Sequence, residues 1–342
     1  MNGERQALRV RIHRPVPTAL ICGVSGQDGA YLAAHLLSLG YRVIGTSRDA
    51  GTCDRSGLAA LGIQKRVEIE SLDPVAAPAV RELLERVRPE EIYHLSGQSS
   101  VAMSYTHPAE AFRSIAQSTS NILETLRIGG LPCRLFVAGS VAMYGDTRGR
   151  TIDESLRPRP VDPYGLAKAT AHGLVEQYRR LHGVHACTGI LGNHESPLRP
   201  ERFVTQKVAA AACRIAGGDT APLTLGDLSI ERDWGWAEEY VVAMHAMLQL
   251  DAPEDLVLAS GSTVKLEALV SAAFSQAGLD WRRHVVSDPS LARPGEARRQ
   301  AADASRAAER IGWRATVSGP EVARRMVEAR LASSVGTARR AA

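Results

Sequence analysis

A chain of 342 residues, 44% hydrophobic and 23% charged, is long enough for one large domain or two moderate ones around a sizeable core. Aromatic residues at 5% and a net charge of only +4 argue against a nucleic-acid surface; the positive excess sits at the ends, in Arg5, Arg9, Arg11, Arg14, Arg339 and Arg340. No apolar run reaches membrane-spanning length, no cysteine pair has a C-x-x-C spacing, and the basic N-terminus lacks a small-residue cleavage site, so the composition reads as a cytoplasmic protein without metal, disulfide framework, nucleic-acid partner or membrane partner.

Ala19 to Cys22 reads as a short apolar strand, followed by glycines, a helical pattern from Tyr31 to Leu39 closed by Gly40, and a second strand from Tyr41 to Thr46. The alternation continues through a strand at Val67 to Glu70, an amphipathic helix at Ala79 to Arg86, a strand at Glu91 to Leu95 and a long helix from Glu110 to Ile128. A strand at Arg134 to Ala138, a helix at Tyr164 to Leu181 and a strand at Cys187 to Leu191 complete it. This rhythm predicts an α/β fold, a Rossmann-type doubly wound parallel sheet. Beyond Asn193, helices at Val204 to Ala216, Glu238 to Leu250 and Leu266 to Ala277 alternate with loops rich in Pro, Gly and Arg, which predicts a smaller C-terminal substrate-binding lobe over the sheet's carboxyl edge. The expected division is a basic tail at 1–17, a dinucleotide-binding domain at 18–192 with returning segments near 230–260, a mainly substrate-binding lobe at 193–330 and a tail at 331–342.

Gly23-Val24-Ser25-Gly26-Gln27-Asp28-Gly29 joins the first strand to its helix. The first glycine permits the turn, the second lets backbone approach a pyrophosphate, and the third lets helix and strand pack closely, while the helix N-terminus offers free N–H groups to phosphate. After the second strand comes Ser47-Arg48, a hydroxyl and a guanidinium fork suited to a 2′-phosphate, although Asp49 supplies a competing carboxylate. The expected cofactor is therefore NADP, with NAD the alternative. Asp73 is placed to meet the adenine amino group, and Leu95 completes the cofactor set.

Tyr164-Gly165-Leu166-Ala167-Lys168 puts Tyr164 and Lys168 on one helix face a turn apart. An ammonium there is expected to lower the phenol's pKa, so that it takes a proton from a sugar hydroxyl, and to bond the cofactor ribose. Ser140, just past a strand end, is expected to steady the same substrate oxygen.

These residues resemble the extended short-chain dehydrogenase/reductase family. More narrowly, Gly23 to Leu32, Asn193 to Pro197 (NHESP), Phe203 to Lys207 (FVTQK) and Arg232 to Gly235 (RDWG) resemble the GDP-mannose 4,6-dehydratase family, over about Ala19 to Ala329. The resemblance implies a GDP-hexose substrate, with Asn193, Lys207, Arg232, Arg293 and Glu296 on the diphosphate and base; Ser99 joins this substrate set. His194 and Glu195 are read as structural. One departure stands out. That family carries a glutamate two residues before the Tyr-Gly of the strand-end loop, and here Ala142 precedes Met143-Tyr144-Gly145. Without the base that abstracts the C5 proton, reversible oxidation at C4 remains, as in epimerases and ketosugar reductases. The alternatives are a true dehydratase with its acid/base relocated and a non-catalytic nucleotide-sugar-binding protein. The Arg48-to-Arg55 loop also lacks the family's serine-rich stretch, so a homodimer through the two long helices is expected, with a tetramer the alternative.

Overall fold

The computed structural model describes residues 16–291 and 295–341, with side chains described as far as Ser333. The first half alternates strand and helix: β1 (Thr18–Cys22), α1 (Gln27–Ser38), β2 (Arg42–Ser47), α2 (Ser56–Ala60), β3 (Glu68–Ser71), α3 (Ala77–Val87) and β4 (Glu91–His94). Next come α4 (Val101–Thr106), α5 (Pro108–Phe112), α6 (Ser118–Gly129), β5 (Arg134–Ala138), α7 (Pro163–His182) and β6 (Ala186–Leu191). Helix α1 begins at Gln27, earlier than the apolar pattern indicated, because Gly29 lies inside its first turn. A Cβ at Gly29 would sit 2.3 Å from the Gly23 carbonyl oxygen. The long helix expected from Glu110 is interrupted by a π-helical turn, Arg113–Gln117. There Ser114 Oγ accepts from the Gln98 amide at 3.1 Å, which ties the bulge to the loop after β4.

The second half contains β7 (Asn193–Glu195), α8 (Val204–Ala216), β8 (Leu223–Leu225), β9 (Glu231–Trp236), α9 (Ala237–Leu248), β10 (Leu256–Leu258) and β11 (Thr263–Lys265). It ends with α10 (Leu266–Gln276), β12 (Val285–Ser287), β13 (Arg299–Gln300), α11 (Ser305–Ile311) and α12 (Pro320–Ala341), so helix continues where a tail was expected from 331.

Seven parallel strands form the main sheet in the order β10-β6-β5-β4-β1-β2-β3. Its strands are apolar on both faces because helices cover both. Ala19, Ile21, Tyr93, Phe136 and Cys187 point to one side with Leu32 and Leu36 of α1 and Met244 and Met247 of α9. Leu20, Cys22, Ile92, Leu135 and Val137 point to the other, with Leu83 of α3, Ile122 of α6 and Val175 of α7. The chain winds outward from β1 through β2 to β3, then returns to place β4 on the other side of β1. The ligand crevice of such a sheet opens at this switch point, between the loops that follow β1 and β4. The smaller lobe centres on β9, which pairs with β7, β11 and β13. Its core joins Trp234 and Trp236 to Ala212, Phe274, Val322 and Met326 from α8, α10 and α12. No helix among the described residues is long and apolar enough to cross a membrane.

Candidate active site at the carboxyl edge of the sheet

At the switch point the loops after β1 and β4 touch. Gly23 has φ +89°, and a Cβ there would lie 2.9 Å from Ser96 Cα and 3.2 Å from the Leu95 carbonyl carbon, so only glycine fits. Ser25 and Gly26 are exposed at the tip, and Gly26 N–H donates to the Gly23 carbonyl at 3.1 Å. Arg48 and Asp73 follow adjacent strands: Ser47 pairs with Ser71, and the Leu72 amide donates to the Ser47 carbonyl at 2.7 Å. Arg48 is exposed, while Asp73 Oδ1 accepts from the Val75 amide at 3.0 Å. Asp49 is occupied locally, accepting from Gly51 N at 2.8 Å and Thr52 Oγ1 at 2.9 Å.

Gln27 and Asp28 do something sequence reading missed. They clamp α1 to the NHESP segment. Gln27 Nε2 donates to the His194 carbonyl at 3.0 Å, and Ser196 Oγ donates to Gln27 Oε1 at 2.8 Å. His194 Nε2 meets Asp28 Oδ2 at 2.9 Å, and its Nδ1 meets the Gly192 carbonyl at 2.8 Å. Both partners are acceptors, so both ring nitrogens donate only as imidazolium. Burial pulls His194 down, yet the Asp28 charge outweighs it and the ring titrates above its ordinary value. Burial pushes Asp28 up, but His194, the Gln27 bond and the Arg199 charge together lower it to about 2. The ring also stacks on Tyr240, with centroids 4.7 Å apart.

The residues expected to react sit one strand over. Ser140 caps a 3₁₀ turn, Val141–Tyr144, its Oγ accepting from the Ala142 amide at 3.2 Å. Helix α7 starts against this turn. Asp162 Oδ1 caps it by accepting from Gly165 N at 2.8 Å, and Ser104 Oγ accepts from Tyr164 N at 3.2 Å. Gly165 allows the approach, since a Cβ there would be 2.7 Å from the Ala142 carbonyl oxygen. Ser140 is near enough to the Tyr164 phenol to favour its ionised form. Lys168 is buried, 9% exposed, with Nζ donating to the Ala138 carbonyl at 2.5 Å and lying 5.7 Å from the centre of the Tyr164 ring. Ser140, Tyr164 and Lys168 therefore converge.

The electrostatics correct one expectation. Burial raises the Tyr164 phenol above its ordinary value of 10, and the groups that pull it back are Ser140 and the Arg199 guanidinium rather than Lys168. Burial also lowers the Lys168 ammonium to about 8, partly offset by the Asp28 charge. Arg199, unnoticed in the sequence, is held by an ion pair to Glu195 at 3.2 Å and lies 3.6 Å over the Phe203 ring. Glu195 is buried and also accepts from Thr205 Oγ1 at 2.7 Å.

Of the expected substrate residues, Asn193 and Arg232 lie on paired strands, with Asn193 opposite Trp234. Arg232 is buried, its guanidinium 3.3 Å from Glu296 Oε1, so the carboxylate expected to read a base is engaged by its neighbour. Lys207 is exposed on α8 and Ser99 is exposed in the loop after β4. Arg293 lies outside the described residues.

A doubly wound sheet with a glycine turn at its switch point and a Ser-Tyr-Lys set beside it defines an NAD(P)-dependent enzyme of the sugar-nucleotide dehydratase and epimerase class. The fold is similar to that of UDP-glucose 4-epimerase from Thermotoga maritima, with TM-score 0.81, 22% identity, and coverage of 91% of this chain and 97% of that one. It is likewise similar to a dTDP-glucose 4,6-dehydratase from Streptomyces venezuelae solved with NAD, with TM-score 0.79, 22% identity, and coverage of 91% and 96%. Within that class, the family model described as GDP-mannose 4,6 dehydratase matches residues 20–326, and the chain belongs to this family. It is 35% identical to GDP-mannose 4,6 dehydratase 1 of Arabidopsis thaliana over 338 residues, 96% of this chain and 92% of the relative. It is 36% identical to GDP-mannose 4,6-dehydratase of Sinorhizobium fredii (strain HH103) over 344 residues, 93% and 98% of the two chains.

Proposed function

We propose that the enzyme acts on a GDP-linked hexose by reversible hydride transfer at C4, as an epimerase or ketosugar reductase and without dehydration. The observation that carries this is Ala142. It sits in the turn capped by Ser140, its carbonyl packed against Gly165 beside Tyr164, and it brings no proton-transfer group. Among the described residues, the carboxylates whose charge bears most on Tyr164 are Asp162 and Asp28, and both are committed, to the α7 cap and to His194. Glu195 is held by Arg199 and Thr205.

The residues present fit a dinucleotide. Gly23 and Gly29 keep the β1–α1 turn tight, since a Cβ at either would strike neighbouring backbone, and Asp49 is bonded to Gly51 and Thr52 rather than to Arg48, which supports NADP over NAD. When bound, the nicotinamide supplies the acceptor for the C4 hydride. The chain does the rest: Tyr164 takes the C4 hydroxyl proton, Ser140 holds that oxygen, and Lys168, together with the Gly23–Gly29 turn, Leu95 and Asp73, positions the cofactor. Arg232, Asn193, Lys207, Arg293, Glu296 and Ser99 are assigned to the GDP-sugar. Phe112 and Leu166, 45% and 52% exposed on α5 and α7, support a homodimer through these helices. Five free cysteines support a reducing cytoplasm.

The test is incubation with GDP-mannose and NADP in deuterated water, with products read by NMR. The expected result is change at C4 with the C6 hydroxyl retained. The second reading, a 4,6-dehydratase, is favoured by the names of the relatives and would be established by deuterium at C5 with loss of the C6 hydroxyl.

A further inference from the structure

Behind the turn that carries Ser140, the loop leading to α7 folds into a cavity of about 290 Å³. Four arginines line it, Arg148, Arg150, Arg157 and Arg159, beside the Ser155 hydroxyl. They come from two short stretches, Arg-Gly-Arg and Arg-Pro-Arg, brought together by the loop's own bonds. Thr147 Oγ1 donates to the Arg150 carbonyl at 2.6 Å, and the Arg148 amide donates to Asp146 Oδ1 at 2.9 Å, holding Arg148 at φ 52°. The Arg159 amide donates to the Met143 carbonyl at 2.9 Å, and Ile152 bridges to Ala302 of the smaller lobe. These bonds set the path of the loop, and the four arginine side chains stand exposed around the cavity.

Its charge is uncompensated. Several other arginines of the chain do sit against a carboxylate: Arg42 with Glu68, Arg86 with Glu70, Arg179 with Asp255, Arg214 with Asp219, Arg299 with Glu231. Among the described residues none of the four cavity arginines has such a partner. The one carboxylate lining the cavity, Asp146, has an oxygen already taken by the Arg148 amide. Like charges gathered on one exposed concave face focus their field and raise the local concentration of anions. Guanidinium forks match phosphate oxygens in pairs, and the volume lies near the small end of small-molecule sites.

We propose that this cavity binds a small molecule carrying two or more phosphate groups. None of its residues belongs to the Ser140, Tyr164 and Lys168 set or to the cofactor and sugar sets, so the inference stands independently of the C4 reading. The cavity adjoins the turn that carries Ser140 through Tyr144 and the Arg159–Met143 bond.

Isothermal titration of the full chain with tripolyphosphate and, separately, with fructose 1,6-bisphosphate tests this. At least one should bind, more weakly as salt is raised. The double variants R148A/R157A and R148K/R157K should both bind at least about tenfold more weakly, because the lysines keep charge but lose the fork. Turnover of the GDP-sugar should be unchanged in both. Preference for tripolyphosphate identifies an inorganic polyphosphate as the source, and preference for the bisphosphate identifies a phosphorylated metabolite. Unchanged affinity in both variants overturns the proposal. So does binding of polyglutamate with neither phosphate compound bound, which marks the patch as a surface for an acidic protein.

Discussion

Replacing Lys168 by Met should stabilise the cofactor-free protein at neutral pH while disabling it as an enzyme. The ammonium is buried, and its pKa falls from 10.5 in the open to about 8 in the fold, with burial the main cause. At about 1.4 kcal/mol per pH unit, keeping it charged in the fold costs on the order of 3 kcal/mol at pH 7. Methionine fills similar space without charge. It forfeits the hydrogen bond to the Ala138 carbonyl, which returns about 1 kcal/mol and leaves a net gain of about 2 kcal/mol. The pH dependence carries the sign. Between about 8 and 10.5 the unfolded chain holds a proton the folded chain has lost, so wild-type stability rises with pH there, and the cost stands in full below that window. The variant lacks this rise. Urea unfolding of both proteins from neutral to alkaline pH reads the difference directly: the variant is ahead at pH 7, and its lead shrinks as pH climbs past about 8. Parallel profiles, or a variant less stable at pH 7, would refute the reasoning.

Tyr164→Phe should lower hydride transfer by about 10²- to 10⁴-fold with cofactor affinity retained, measured by stopped-flow absorbance and cofactor titration; near wild-type rates would remove the phenol from the chemistry. Gly29→Ala should destabilise the fold by about 2 kcal/mol or more and weaken dinucleotide binding, because its Cβ would press within 2.3 Å of the Gly23 carbonyl oxygen. A thermal midpoint and cofactor affinity both unchanged would show that the turn yields freely. Arg48→Ala should weaken NADP by about tenfold to a hundredfold and NAD hardly at all, as a fork on a 2′-phosphate has no counterpart in NAD. Equal losses in paired titrations would take Arg48 away from the phosphate.

The parallel sheet was legible because its strands are buried on both faces and its helices carry strong periodicity. Arg134–Ala138 and Val204–Ala216 coincide with the predicted bounds. The strands of the smaller lobe were not. β7, β8, β11 and β12 have three residues each and β13 has two, too few for a period of two to register. β9 reads Glu-Arg-Asp-Trp-Gly-Trp, and buries Arg232 and Asp233 where an apolar alternation would be sought. Glycine and Tyr-x-x-x-Lys spacing made the tight β1–α1 turn and the Tyr164–Lys168 pair visible. The Gln27–Asp28 clamp on His194 and Ser196 was hidden because it joins positions about 170 residues apart, through bonds that no local pattern encodes.

The order in which the chain supplies its sheet has a consequence for synthesis. Strand β10 pairs with β6, and α9 covers Tyr93, Phe136 and Cys187, yet both emerge only after β7, α8 and β9 have been made. A nascent chain that has just completed β6 therefore carries a bare apolar face and an unpaired parallel edge, the two features that recruit foreign strands. Chains stalled after Leu191 should bind hydrophobic-surface dyes and be cut readily by protease, whereas chains extended beyond Leu258 should resist both. Until translation reaches that point, the half of the sheet already made has neither its last strand nor the helix that covers this face.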